Sequence, residues 1–141
     1  MSKAQIDLQK HNQLRAKHHA PPLVLSSWLS QRAQNWSDHL AGVQKLQHSD
    51  CMVNGKRVGE NIYWTSGTAN GGEATKRWYD EVKSYNYSNG EGTWPKCGHF
   101  TQVAWKYSKE VGFGYRNGYV VANYYPAGNL NGHYQDNVKH P

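Results

Sequence analysis

Residues 111–125 read VGFGYRNGYVVANYY, and their pattern indicates the fold class. Two runs rich in valine and aromatic side chains, 111–116 and 119–125, stand on either side of the dipeptide Asn117-Gly118. Asn-Gly favours a two-residue type I′ turn, because both central residues of that turn have a positive φ. The stretch therefore predicts a β-hairpin late in the chain.

Two helices are predicted before the hairpin, in the first third of the chain. Residues 4–18 form a polar, moderately helical segment, which Pro21-Pro22 ends because proline lacks the helical N–H donor. In the next helix Ser27 can cap the start and Gly42 can end it. Apolar side chains at helical spacing mark its buried face, namely Leu29, Ala33, Trp36 and Leu40.

A third helix is predicted from about Glu73 to Tyr85, and a short strand from Val58 to Trp64. Glu81 falls on the edge of the apolar stripe of this helix, where a carboxylate is costly to desolvate unless it has partners. Helices combined with hairpin strands indicate a sheet covered by helices, that is, an α+β fold. The apolar stripe comprises Ala74, Trp78, Val82 and Tyr85.

Length and composition restrict the class of protein. A chain of 141 residues without repeats, linkers or low-complexity segments fits one domain, residues 1–141. The net charge of +6 comes from scattered lysines and arginines, which predicts a solubilising surface or a weak attraction to anionic lipid headgroups on a membrane surface. The sequence has no basic stripe or reader motif for nucleic acid, and no apolar run as long as a membrane span.

Four titratable side chains stand out by their local context. His48 follows the second helix, Glu60 begins the short strand, Glu81 lies on the third helix and His99 opens a further helical stretch. Each has an ordinary explanation when taken alone, since isolated histidines and surface carboxylates are common. No H-E-x-x-H, C-x-x-C or G-x-S-x-G motif joins them, so their spacing leaves both a metal site and a set of ordinary polar residues open.

Longer matches extend over most of the chain. The stretch GHFTQVAW, residues 98–105, fits a G-H-[FY]-T-Q-x-x-W pattern, and residues 119–129 fit a second pattern that ends in NYYPAGN. The tripeptide Gly-Glu-Asn at 59–61 fits as well. Shorter matches are Trp78-Tyr79 with Glu81, and His11-Asn12 with Arg15 before Pro21-Pro22-Leu23.

Taken together, these segments resemble the CAP superfamily of cysteine-rich secretory proteins, antigen 5 allergens and plant pathogenesis-related proteins. The matches run in order from about residue 8 to residue 138. The Golgi-associated plant pathogenesis-related type, which lacks a cysteine-rich C-terminal extension, is the most similar. The resemblance implies a three-layer α-β-α sandwich, the CAP domain, with a mostly antiparallel central sheet and a large open cleft.

The resemblance also implies that His48, Glu60, Glu81 and His99 form a tetrad at this cleft. The two histidines would hold a divalent cation, commonly Zn²⁺, with water or a ligand oxygen completing the four-coordinate shell. The glutamates would fix the histidine tautomers or polarise a bound water. Such a site is expected to bind metal weakly and to fail as the histidines protonate, near or below a pKa of about 6.5.

The two cysteines and two sequons bear on the cellular compartment. If the tetrad histidines meet at the cleft, their sequence neighbours Cys51 and Cys97 are expected to meet too, which predicts a disulfide, with two buried free thiols as the alternative. Glycosylation sequons at 35–37 and 86–88 are compatible with secretion. The polar N-terminal segment has no signal-peptide pattern, so we expect an extracellular protein whose leader has been removed, or else a Golgi-associated or cytosolic one.

Three functions are compatible with these features. The resemblance implies a module that binds sterols, fatty acids or other lipids, and the aromatic, glycine-rich loop 85–95 can supply a cleft wall through Tyr85, Tyr87 and Trp94, or be an ordinary surface loop. A metal-dependent hydrolase or protease that uses Glu60 and Glu81 is the second hypothesis, although no nucleophile motif is present. A signalling or interaction protein that self-associates as a homodimer is the third. We expect ligand binding rather than catalysis.

Overall fold

The computed structural model describes all residues from 1 to 141. It contains no helix with the length and apolar character that crossing a membrane requires. The helices are α1 (Lys3–Lys17), α2 (Ser27–Val43), α3 (Glu73–Tyr79), a 3₁₀-helix (Asp80–Ser84), α4 (Gly90–Ala104) and α5 (Tyr134–Asn137). The strands are β1 (Val24–Leu25), β2 (Met52–Val53), β3 (Lys56–Arg57), β4 (Gly59–Trp64), β5 (Glu110–Arg116) and β6 (Tyr119–Tyr125).

The predicted hairpin is present as β5 and β6. Asn117 and Gly118 connect these strands with φ angles of 48° and 84°, and a type I′ turn requires both to be positive. The four-stranded sheet has the order β1-β5-β6-β4, in which β1 runs parallel to β5 and the other pairs are antiparallel. The sheet is therefore mixed, and mostly antiparallel as predicted. Strands β2 and β3 form a separate two-stranded sheet.

The main sheet lies between two helical layers, because successive side chains of a strand point to opposite faces. On one face α2 covers β5 and β6, where Ala33 and Leu40 pack against Tyr119 and Val121. On the other face α1, α3 and α4 enclose the larger core, which confirms the predicted α-β-α sandwich. This core comprises Leu23, Ala69, Ala74, Trp78, Val103, Val111, Phe113, Val120, Ala122 and Tyr124.

Two glycines of β5 allow α2 to approach the sheet closely. A Cβ atom added at Gly112 would lie 2.1 Å from the backbone nitrogen of Ser30, and one added at Gly114 would lie 2.4 Å from the carbonyl carbon of Ala33. Both atoms belong to the backbone of α2, so no side-chain movement could make room. The alternation of glycine with Val111 and Phe113 thus gives β5 one flat face for α2 and one bulky face for the larger core.

The ends of α2 differ from the predicted positions. The hydroxyl of Ser26, one residue before the predicted cap Ser27, accepts the hydrogen bond that caps the helix. The helix continues past Gly42 and ends where Gln44 adopts a left-handed φ of 57°. The Gln44 N–H makes the last hydrogen bond of the helix, to the Leu40 carbonyl, and the left-handed conformation of Gln44 then ends the helix without a glycine.

The predicted third helix is divided into two pieces. Its α-helical part stops at Tyr79, and the tighter 3₁₀-helix that follows carries Glu81. The change in winding separates the predicted apolar stripe, because Trp78 packs in the larger core whereas Val82 packs against a second, aromatic cluster. Glu81 is therefore displaced from the face that a continuous α-helix would give it.

A buried arginine connects α1 to the C-terminal end of α4. Arg15 is fully buried, and its guanidinium donates to the backbone carbonyls of Pro21 at 2.9 Å, Val103 at 2.9 Å, Trp105 at 2.8 Å and Ser108 at 3.1 Å. Burial lowers the pKa of Arg15 to about 10, so the side chain remains charged at neutral pH. It satisfies carbonyls that lack partners at a helix end and complements the negative end of the helix dipole.

The close contact between β5 and α2 predicts that Gly114→Ala destabilises the protein. Because the added Cβ would meet backbone atoms, we expect a loss of about 1–3 kcal/mol in the free energy of unfolding, measured by urea titration. Gly42→Ala is the matched control, since nothing lies within 4 Å of its added Cβ and alanine favours the helix. Equal stability of the two variants would contradict the explanation.

Candidate functional site

The largest concentration of chemically active side chains lines one open cleft of about 390 Å³. The structure places all four predicted residues, His48, Glu60, Glu81 and His99, in its lining. Three of the fifteen lining residues are hydrophobic, and most of the others are glycines or carry a polar group, so polar groups and apolar surface are both exposed in the cleft. Residues as distant in sequence as His48 and Asn129 face the same volume.

Glu60 lies at the start of β4 and is the most heavily hydrogen-bonded group of the cleft. Its side chain is 1% exposed. The carboxylate accepts hydrogen bonds from His48 Nδ1 at 2.9 Å, the Ser49 backbone N–H at 2.8 Å, the Ser49 hydroxyl at 2.5 Å and Asn123 Nδ2 at 3.1 Å. Arg32 Nη1 lies 3.5 Å from the same carboxylate. These donors offset the cost of removing a charge from water.

The hydrogen bonds also determine the charge state of the His48–Glu60 pair. Burial alone would raise the pKa of Glu60, but the donors His48, Ser49 and Asn123 outweigh it and lower the pKa to about 2. An ionised carboxylate can only accept, so His48 Nδ1 must be the donor of their hydrogen bond. The same hydrogen bond raises the pKa of His48 above its ordinary value, because the carboxylate stabilises the imidazolium.

Arg32 supports this pair from α2. In addition to its approach to Glu60, its Nη2 donates to the Ser49 hydroxyl at 3.0 Å and to the Asp50 carbonyl. The ion pair is largely shielded, with Arg32 17% exposed. Arg32, a residue of α2, thus connects this helix both to the loop that carries His48 and to Glu60 of β4.

Glu81 holds His99 by a different arrangement, in which it caps a broken helix. Helix α4 is kinked at Cys97, whose φ of −139° and ψ of 25° are not helical. The kink leaves the backbone N–H groups of His99 and Phe100 without partners within the helix, and the Glu81 carboxylate accepts both, at 2.9 and 3.2 Å. The same carboxylate accepts from His99 Nδ1 at 2.8 Å, and the His99 ring stacks at 13° on Trp78.

The two pairs leave equivalent ring nitrogens available. Because Nδ1 of both His48 and His99 is engaged by a glutamate, Nε2 of each ring is left without a hydrogen bond within the chain. This is how a carboxylate orients a metal-binding histidine. No group of three or more histidine, cysteine, aspartate or glutamate side chains is arranged to hold a metal ion. The donors that a cation could use here would therefore be two imidazole nitrogens, and water or a ligand oxygen would have to complete a tetrahedral shell.

The predicted Cys51–Cys97 disulfide is not formed, and both cysteines are free thiols. Cys51 lines the cleft, and its thiol contacts the Ser49 carbonyl. Cys97 is fully buried in the aromatic cluster, where its thiol donates to the Thr93 carbonyl at 3.0 Å. The prediction failed because a neighbour in sequence need not share the direction of a side chain: His99 faces the cleft, and Cys97, two residues earlier at the kink, faces the interior.

The predicted ligand-binding loop also needs correction. Tyr85 and Tyr87 do not line the cleft but pack edge-to-face against each other, 5.0 Å apart, with buried hydroxyls that lack partners. From Gly90 onward the segment is the first part of α4, and not a loop. Trp94 does line the cleft, with 41% of its surface exposed.

Sequence reasoning missed the residues that support the tetrad. Asn123 is fully buried within the otherwise apolar β6, and a lone amide in such a run was a usable signal of a polar contact beneath the sheet. Arg32 gave no signal, because an arginine on an amphipathic helix resembles any surface residue. Arg57 lines the cleft from β3. Its sequence context carries no sign of this position, because Arg57 is one of two adjacent basic residues, Lys56-Arg57, of the kind that is common on protein surfaces.

Comparison with known proteins identifies the family. Residues 8–125 match the CAP family, described as the cysteine-rich secretory protein family. The chain belongs to this family. The CAP protein that is 40% identical to it over 141 residues is Golgi-associated plant pathogenesis-related protein 1 of Homo sapiens, and the match covers 95% of this chain and 90% of that protein.

Other CAP proteins extend the comparison. Secreted protein RBT4 of Candida albicans is 35% identical over 136 residues, which cover 92% of this chain and 36% of that longer protein. The crystal structure of NaASP2 with Zn²⁺ superposes with a TM-score of 0.72 at 24% identity, over 92% of this chain and 83% of that one, and shows the shared fold. Relatives of this chain thus include a Golgi-associated protein and a secreted one.

The lowered pKa of Glu60 predicts a specific loss of stability in acid. Because the folded pKa of about 2 lies below the ordinary 4.5, its contribution is fully present above about pH 5 and is lost as the pH falls towards 2, up to about 3 kcal/mol. Unfolding free energies of Glu60→Gln should lose this part of their pH dependence. Glu110→Gln, which removes a carboxylate that accepts no side-chain hydrogen bond, should retain it; equal acid profiles of the two variants would refute the assignment.

Proposed function

We propose that this CAP protein binds a small amphipathic ligand in the cleft, assisted by a divalent cation held between His48 and His99. One observation carries the proposal: each of the two imidazoles is oriented by a glutamate through Nδ1, which leaves both Nε2 atoms unpaired at one cleft. A role confined to stability would not require two rings at one open cleft to be oriented in the same way.

The chemistry of the donors favours zinc. Imidazole nitrogen is a preferred ligand of Zn²⁺, and a site with two protein ligands leaves positions for water and for an oxygen of the ligand. When bound, zinc would supply a Lewis acid that attracts such an oxygen. The crystal structure of NaASP2 with Zn²⁺, which has the same fold, is consistent with this choice. Glu60 and Glu81 would hold the rings, and their backbone and side-chain donors are already in place.

The lining of the cleft favours a ligand with a polar, anionic head. Arg57, Gln102 and Asn129 contribute polar groups to the lining, whereas Val58 and Trp94 offer a limited apolar contact. A fatty acid fits this distribution better than a sterol, because its carboxylate can engage both a cation and an arginine while its chain extends along Trp94. Among the expected lipids, we therefore propose fatty acids as the preferred class.

Nucleophilic catalysis by a hydroxyl has little geometric support here. The Ser49 hydroxyl donates to Glu60 at 2.5 Å, and the Thr101 hydroxyl donates to Asn129 at 2.5 Å. Neither hydroxyl donates to a histidine, so no Ser–His or Thr–His pair is formed. Metal-dependent hydrolysis and homodimer formation remain hypotheses that rest on the sequence alone.

We further propose that the protein works in the secretory pathway or outside the cell. The relatives named above, one secreted and one Golgi-associated, support this location. The two sequons differ in setting. Ser37 of the first is fully buried in α2, whereas Asn86 of the second is exposed in a turn, where its side chain accepts the Ser88 N–H. Both acceptor asparagines, Asn35 and Asn86, are exposed, so it is the buried Ser37 that makes the second sequon the better candidate for glycosylation.

The proposal predicts that zinc binding depends on both histidines. Calorimetric titration with ZnCl₂ at pH 7.5 should give weak, saturable binding that His48→Ala and His99→Ala each abolish. Binding should also be lost at pH 5, because protonated imidazoles cannot bind metal. His133→Ala removes an exposed histidine away from the cleft and should bind as the wild type does. Undiminished binding in both cleft variants would refute the metal site.

Fatty-acid binding is tested separately from metal binding. A fluorescent fatty acid should bind saturably, with an affinity that falls about tenfold or more in Arg57→Gln, since an anionic head loses a charged hydrogen-bond partner. Lys56→Gln, a change in the adjacent basic residue that does not line the cleft, should have little effect. Binding of a fluorescent sterol but not of the fatty acid would contradict the preference for a carboxylate head.

A further inference from the structure

We infer that Asn61 is the positioning residue that sets the distance between the two His–Glu pairs; this deepens the proposed metal-assisted binding and depends on it. Asn61 follows Glu60 directly in β4 and is 1% exposed. Its Nδ2 donates to the backbone carbonyl of His99 at 3.1 Å and to the Tyr124 hydroxyl at 3.3 Å. One strand therefore contacts both histidines, the His48 ring through Glu60 and the His99 backbone through Asn61.

The geometry of a strand makes this double role possible. Side chains of consecutive strand residues point to opposite faces. Glu60 pairs across the sheet with Asn123, on the α2 side, whereas Asn61 lies opposite Ala122, on the side of the larger core. Two adjacent residues thus reach the two halves of the cleft from one rigid backbone. A change in β4 would move both halves together rather than apart.

The orientation of the Asn61 amide follows from the His99 carbonyl, which can only accept a hydrogen bond, and a buried chain of hydrogen bonds through Tyr124 agrees with it. Burial lowers the pKa of His11 to about 3, so its ring is neutral and has one donor and one acceptor. Its Nδ1 lies 3.0 Å from the Asp7 carbonyl and must donate there, which leaves Nε2 to accept from the Tyr124 hydroxyl at 2.7 Å. The Tyr124 oxygen then accepts from Asn61. The NH₂ group of Asn61, and not its carbonyl oxygen, therefore points towards Tyr124 and His99.

The Asn61–His99 bond is the single hydrogen bond between β4 and α4. On its other side His99 is held by Glu81, through both its backbone N–H and its ring. The carbonyl bond to Asn61 is therefore the direct polar contact that sets the His99 backbone relative to β4, whereas Arg15 anchors the C-terminal end of α4 to α1. Without it, His99 and Glu81 could shift together, and the two Nε2 atoms would lose their fixed separation while each His–Glu pair stayed intact.

The test compares Asn61→Leu, which removes the donor at similar size, with Tyr124→Phe, which disrupts the same buried network but leaves the Asn61–His99 bond. Both should lower the melting temperature. We expect ZnCl₂ affinity to fall about tenfold or more in Asn61→Leu, as when outer partners of a metal ligand are removed, and to be unchanged in Tyr124→Phe. The NMR resonances of the metal-free His99 ring should shift in Asn61→Leu alone, and those of the His48 ring in neither.

The outcomes separate this inference from the proposed function. Wild-type zinc affinity in Asn61→Leu, or an equal loss in Tyr124→Phe, would overturn the positioning role. If the wild type binds no zinc, the proposed metal site fails, and the metal-free His99 resonances still decide the role of Asn61: a shift in Asn61→Leu alone supports it, and no shift overturns it. Should Asn61→Leu fail to fold, Asn61→Ala, which removes the same donor without adding bulk, provides the same comparison.

Discussion

The hydrogen bonds made by the Arg15 guanidinium are the interaction that holds the elements of this structure together. This group is a buried positive charge that has no carboxylate as a partner. Its four hydrogen bonds all go to backbone carbonyls, two of them from the C-terminal end of α4. Partial negative charges at a helix end and the fixed fork of the guanidinium make such burial tolerable. Because α4 carries His99 and is kinked above it, the position of the cleft depends on this anchor, which ties the end of α4 to α1 and to the loop before β1.

Two carboxylates organise the cleft, and each receives its hydrogen bonds from a different set of donors. Glu60 is almost completely removed from water and needs the His48, Ser49 and Asn123 donors to stay ionised. Glu81 is partly exposed and uses the N–H groups that a helix kink leaves open. Both solutions end at an imidazole Nδ1. Two unrelated local arrangements thus give the same geometric result, an imidazole Nε2 without a hydrogen bond within the chain.

Much of the secondary structure could be predicted because its causes are local. The Asn117-Gly118 turn depends on the backbone freedom of two residues, and the spacing of Leu29, Ala33 and Leu40 marks a helix face without reference to the rest of the chain. The site could be expected only by resemblance to the CAP family, since His48 and His99 lie in unrelated segments with no joining motif. The predicted pairing of Cys51 with Cys97 was wrong, because it assumed that residues close in sequence to the cleft histidines also point towards the cleft. The direction of a side chain depends on the local backbone conformation, which is non-helical at Cys97.

By itself, the amino-acid sequence determined the hairpin, the first two helices and the membership of the family, because each follows from residue types within a short window or in a fixed order. The tertiary structure alone decided which side chains share the cleft, that Tyr85 and Tyr87 serve an aromatic cluster, that both thiols stay free, and that Arg15 and Asn61 hold α4 in place. These outcomes depend on burial and on the direction of donors and acceptors from distant segments, which no local pattern contains.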